Sequence, residues 1–137
     1  MRTNWTACVV GLIALGLGYA AGQAQTKDRV FEIRTYTTHD RQLDALNARF
    51  RDHTARIFTK HGMTNVGYWI PTEGPLAGNT LIYVLAFPDL ESAKKSWDSF
   101  RNDPEWKKVR AESEANGPIV SKIESVFVRP TDYSPMK

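Results

Sequence analysis

The chain has 137 residues, with 18 Lys and Arg against 15 Asp and Glu, so its net charge of +3 is too small for a basic footprint on nucleic acid or an anionic membrane. A single cysteine excludes an internal disulfide. Three histidines without His-x-x-x-His spacing argue against a dedicated metal site, and no motif calls for a cofactor.

Residues 1–24 have the layout of a secretory signal peptide: Arg2, an uncharged run from Ala7 to Ala21, then the small-x-small stretch Gly22-Gln23-Ala24. The run of about 15 residues is shorter than the roughly 20 that a membrane-spanning helix needs. The alternative is an uncleaved N-terminal anchor. Either way the rest of the chain is expected outside the cytoplasm, periplasmic or secreted, with no stable membrane insertion after cleavage. Cys8 lies in the removed segment, so the mature protein must depend on its apolar core, on a partner subunit, or on both. Residues 25–28 read as a short polar tail, 29–130 as one domain and 131–137 as a C-terminal tail.

Val30 to Tyr36 alternates with period two, predicting a strand with Phe31 and Ile33 on one side and Glu32, Arg34 and Tyr36 on the other. Thr38 or Asp40 is placed to cap a helix from about Arg41 to Lys60, whose stripe is Leu43, Leu46, Phe50, His53 and Ile57. Gly62 suits a C-terminal cap. Met63 to Pro71 reads as a second strand, with Val66, Tyr68 and Ile70 opposite Trp69. Thr72 to Gly78 reads as a hairpin loop and Asn79 to Phe87 as a third strand, apolar at both parities from Leu81. Asp89 can cap a helix with Leu90, Ala93, Trp97 and Phe100 on one stripe. Asp103-Pro104 starts another helix, with Trp106, Val109 and Arg110 on its inner side, and Ile119 to Arg129 makes a last strand.

This order, βαββαβ, predicts an α+β, ferredoxin-like domain: a four-stranded antiparallel sheet with helices on one face and the first and third strands at its centre. The helices leave the second face bare, although the third and last strands are apolar on both sides. A homodimer packed face to face, a dimeric α/β barrel, would bury it.

Phe31-Glu32-Ile33-Arg34-Thr35-Tyr36, Lys60-His61-Gly62, Gly67-Tyr68-Trp69, Phe87-Pro88-Asp89-Leu90 and Asp103-Pro104-Glu105-Trp106 resemble, in order and spacing, the NIPSNAP family from about Val30 to Arg129. The resemblance implies the dimeric α/β-barrel fold and no settled reaction. Animal members are mostly mitochondrial and linked with vesicle traffic and mitophagy signalling, a setting from which a secretory signal departs.

Glu32, Arg34 and Tyr36 are the first candidates for chemistry. If their face lines a cavity between two copies, a carboxylate, a guanidinium and a phenol project into one space and can hold a small polar or anionic molecule, with Arg34 as the anchor. The competing reading is an internal Glu32–Arg34 pair. His53, on the inner helical stripe, is a candidate base or haem ligand, or a core residue with one satisfied hydrogen bond. His61 is assigned to the helix dipole. Tyr68 and Trp69 are candidate pocket walls, while Trp97 and Trp106 read as packing. Three functions follow: an exported, homodimeric domain that binds a small polar or aromatic ligand or serves assembly, a cofactor-independent monooxygenase-like or haem-degrading enzyme of the dimeric α/β-barrel type, or a pure interaction module whose barrel is filled by its own side chains.

Overall fold

The computed structural model describes residues 29–137. The signal-peptide and polar-tail readings for residues 1–28 lie outside them. Among the described residues no helix is long and apolar enough to cross a membrane.

Strand β1 (Val30–Thr38) is followed by a long helical segment made of α1 (Leu43–Arg49), a π-helical turn (Phe50–Thr54) and α2 (Ala55–Lys60). Then come β2 (Thr64–Trp69), β3 (Thr80–Phe87), α3 (Leu90–Asn102), α4 (Pro104–Ser113) and β4 (Val120–Val128). The sheet order is β2-β3-β1-β4, with every neighbouring pair antiparallel. This is the ferredoxin-like arrangement expected from the pattern, with β1 and β3 central.

The first helix begins two residues later than expected. Thr38 stays in β1, where its hydroxyl donates to the Asn79 carbonyl at 3.1 Å. Arg41 takes a left-handed backbone (φ 61°) that turns the chain, and Gln42 becomes the N-cap with no side-chain cap bond. The other ends follow sequence chemistry. Asp89 accepts from the Ser92 N–H at 2.8 Å, and Asp103 accepts from the Glu105 and Trp106 N–H groups at 2.7 and 3.3 Å. Gly62, with φ 77°, closes α2, in a region an L side chain enters only with strain.

The core lies between the sheet and the helices. Phe58 from α2 sits at its centre, packed against Tyr83, Trp97 and Phe100 with ring centroids 5.9, 5.5 and 4.8 Å away. Leu90, at the first turn of α3, is largely outside this stripe. β2 carries a bulge between Asn65 and Gly67 and stops at Trp69. The bulge puts Asn65 and Tyr68 on the helix side together, where the Tyr68 hydroxyl donates to Asn65. Ile70, expected to share that side, is past the strand and exposed.

The opposite sheet face has no helix. Ile33, Ile82 and Val84 are half-buried there, and Val126 is 52% exposed. Trp69 lies on this face opposite Ile82, its ring folded over Gly67 so closely that a Cβ at that position would stand 2.5 Å from it. β4 is exposed along nearly its whole length, including Ile123 and Phe127 on the helix side, because the helices stop short of this edge.

Candidate ligand-binding site

Alternation along β1 sends Glu32, Arg34 and Tyr36 to one side, and that side faces the helices of the same chain. The expectation that the row faces a cavity between two copies is therefore corrected: Phe31 and Ile33 take the face without helices, where Phe31 is nonetheless buried. The reason is Trp97 on α3. Its Nε1–H donates to Glu32 Oε2 at 2.6 Å, and its ring receives the Arg34 guanidinium at 4.3 Å, so the helix layer accommodates a buried ion pair. Glu32, 1% exposed, also accepts from Arg34 Nη1 at 2.5 Å and from the Ser125 hydroxyl at 2.6 Å. Arg34 Nη2 donates to the Tyr36 hydroxyl at 3.3 Å. The internal pair and the candidate site are thus one structure, with Glu32 fixing the guanidinium that reaches onward. Burial opposes the charge on Arg34, but the neighbouring Tyr83, Tyr36 and Glu32 groups outweigh it and hold the guanidinium protonated. The Tyr83 phenol beside this row is pushed well up by burial.

Arg34 and Tyr36 open onto a cavity of about 450 Å³ between α3, α4, the π-helical turn and the start of β4. Its aromatic walls include Phe50, Trp97 and Trp106. A second arginine, Arg49, also lines it and is only 5% exposed. Its Nη1 donates to the Ser113 hydroxyl at 3.2 Å and to Glu114 at 3.0 Å, and its guanidinium lies 5.4 Å from the Trp106 ring centre. Glu114 accepts a further bond from Arg110 Nε at 3.3 Å.

The π-helical turn explains how Arg49 comes to be inside. The Ala55 N–H reaches back five residues to the Phe50 carbonyl, and the Thr54 hydroxyl donates to the Arg49 carbonyl at 3.2 Å. One extra residue in the turn lets Arg49, Phe50 and Thr54 all face inward and rotates the intervening residues out. His53 is among those rotated out. It is exposed and does not line the cavity, contrary to its expected place on the inner stripe.

The remaining candidates are scattered. Tyr68 is on the helix side but stacks on Tyr83 within the core, where burial pushes its phenol up, and it does not line the cavity. Trp69 is on the other face of the sheet. His61 does more than meet a helix dipole: its Nε2 is 2.5 Å from Asp103 and its Nδ1 2.6 Å from the Ser99 hydroxyl, bracing α2 against α3 and α4. Among the described residues no three His, Cys, Asp or Glu side chains converge to hold a metal ion.

Arg49, Arg110 and Glu114 escaped sequence reasoning as site residues. Arg49 did carry a signal: it falls three residues after Leu46 and next to Phe50, on the margin of an apolar stripe where a solvated cation is out of place. Trp97 and Trp106 pack as their stripes imply and also line the cavity.

The chain is thus a ferredoxin-like α+β protomer with a cationic, aromatic-walled cavity between sheet and helices. The NIPSNAP family model matches residues 31–135, and the chain belongs to that family. Solved structures agree on the fold. A NIPSNAP family protein with unknown function from Agrobacterium tumefaciens is 22% identical, with a TM-score of 0.71 over 81% of this chain and 96% of that one. An uncharacterized NIPSNAP-like domain protein from Burkholderia xenovorans is 19% identical, with a TM-score of 0.70 over 80% of this chain and 90% of that one. SnoaB, a cofactor-independent oxygenase from Streptomyces nogalater, is 16% identical, with a TM-score of 0.54 over 79% of this chain and 98% of that one. No curated protein matches the chain.

Proposed function

We propose that this NIPSNAP-family protein is an exported homodimer that binds a small aromatic molecule in the cavity between its sheet and its helices. The observation that carries this reading is the cavity itself: about 450 Å³, within the usual ligand scale, walled by Trp97, Trp106 and Phe50 and flanked by Arg34 and Arg49. Export is supported by the residue pattern of the first 24 positions. Dimerisation is supported by the bare sheet face of Ile33, Ile82, Val84 and Val126 and by the exposed edge strand β4.

Binding is a better reading than catalysis on the chemistry of the lining. SnoaB is described as a cofactor-independent oxygenase, and a reaction of that kind here would call for a base to activate the substrate. Glu32 already accepts from three donors and Glu114 from two arginines, while His53 faces solvent. Haem is a poorer fit: the lining contains no histidine, cysteine or methionine, and its one phenol, Tyr36, is engaged by Arg34.

Thermal-shift measurements against phenols, quinones and small aromatic acids test the reading. A ligand that prefers the folded state raises Tm. Ile123→Trp, at the exposed rim opposite Tyr36, should narrow the cavity and abolish that rise while leaving the unliganded Tm nearly unchanged. A rise that survives this substitution would move the ligand elsewhere and refute the proposal.

A further inference from the structure

The charges around the cavity do not balance, and the imbalance is local. Arg34 has Glu32 as its own partner. At the mouth, Arg101 is paired with Asp98, and Lys122 with Glu124 at 2.9 Å. Arg49 and Arg110, by contrast, share the single carboxylate of Glu114. Two guanidinium charges meet one carboxylate charge, so one positive charge is left unmatched at this wall.

Among the described residues, the buried side-chain donors and acceptors without a partner are Arg34 Nε, Arg49 Nε and the Tyr83 hydroxyl. Both arginines line the cavity. These Nε atoms have almost no surface open to the cavity, so what an incoming anion meets is the net positive charge of the two guanidinium groups. Beside each guanidinium stands an indole face, Trp97 for Arg34 and Trp106 for Arg49. A flat ring attached to the anionic group therefore has apolar walls against which to lie.

We infer that the cavity selects a monoanionic aromatic ligand, an aryl carboxylate in its simplest form, and that the Arg49–Arg110–Glu114 cluster sets this preference. The inference rests on the cavity being a binding site, as proposed above, and adds the charge and shape of the occupant. One negative charge restores balance. A dianion overshoots it, and a neutral ring leaves the excess charge as it was.

The test is titration calorimetry of the purified protein with 2-naphthoate and its neutral isostere 2-naphthamide. The carboxylate should bind about tenfold or more tighter than the amide, with the gap shrinking as salt rises. Arg110→Gln, at an exposed position that leaves the core untouched, balances the cluster and should reduce 2-naphthoate affinity several-fold. Glu114→Gln adds to the unmatched charge and should strengthen it. Affinity for the amide should hardly change in either variant. Arg49→Lys keeps the charge but loses the planar guanidinium, and should weaken the carboxylate selectively; circular dichroism of each variant confirms that it is folded. Equal affinity for acid and amide would overturn the anion selectivity while leaving the cavity as a binding site. Failure of both probes to bind at millimolar concentration would overturn both readings. A carboxylate preference unmoved by the Arg110 and Glu114 substitutions would remove this cluster as its source.

Discussion

At the scale of residues, Trp97 serves three neighbours at once: it donates to Glu32, covers Arg34 and packs on Phe58. Trp97→Phe keeps an aromatic ring but leaves Glu32 Oε2 without its donor in a buried setting. We expect a loss of about 2 kcal/mol in stability, with a larger effect on Arg34-dependent binding, measurable as a shift of the urea midpoint. Asp103 gives a pH prediction. Lys60 first, then His61, hold its carboxyl well below the usual carboxylate range, helped by the N–H groups it caps. The folded state therefore binds that proton less readily than the unfolded chain. The resulting stability is fully present above the ordinary Asp value of about 4 and is lost as pH falls through the lower, folded value. Asp103→Asn retains a capping side chain and removes the titrating group. Urea midpoints measured from pH 6 down to pH 2 should fall less steeply in this variant than in the wild type.

At the scale of elements, the π-helical turn decides which residues reach the cavity. Deleting Asp52, exposed within that turn, should restore regular α-helical geometry and rotate Leu43–Arg49 by about 100° relative to α2. Helical circular dichroism should persist, while the ligand-induced rise in Tm disappears because Arg49 no longer faces inward. Unchanged ligand response in the deletion would show that the turn has no part in the site. This element also marks where the sequence stopped being readable. Alternation in β1, the Asp89 and Asp103 caps and the Gly62 terminus are local, so they could be read directly. The π turn leaves no mark on a 3.6-residue periodicity: spacing alone gave His53 an inner position that Thr54 in fact holds. The β2 bulge likewise removed Ile70 from the strand face expected for it. The row of Glu32, Arg34 and Tyr36 was legible as a set, but its direction was not, because a charged row reads as outward until a partner such as Trp97 is seen beside it.

At the scale of the whole molecule, a helical layer on one side accounts for the strand order, the buried ion pair and the cavity together. The second side keeps an apolar surface that asks for a partner copy. Val126→Asp puts a charge on that surface, 52% exposed in the protomer, and should convert a dimer to a monomer in analytical ultracentrifugation with little change in the fold. Wild-type protein sedimenting as a monomer at high concentration would contradict the dimer proposal without touching the cavity.

The cavity itself is tested most directly by a crystal structure of the protein with 2-naphthoate. Density is expected for a flat ring between Trp97 and Trp106, with its carboxylate against Arg49. Density confined to another surface, or side chains closing the space between α3, α4 and β4, would contradict it.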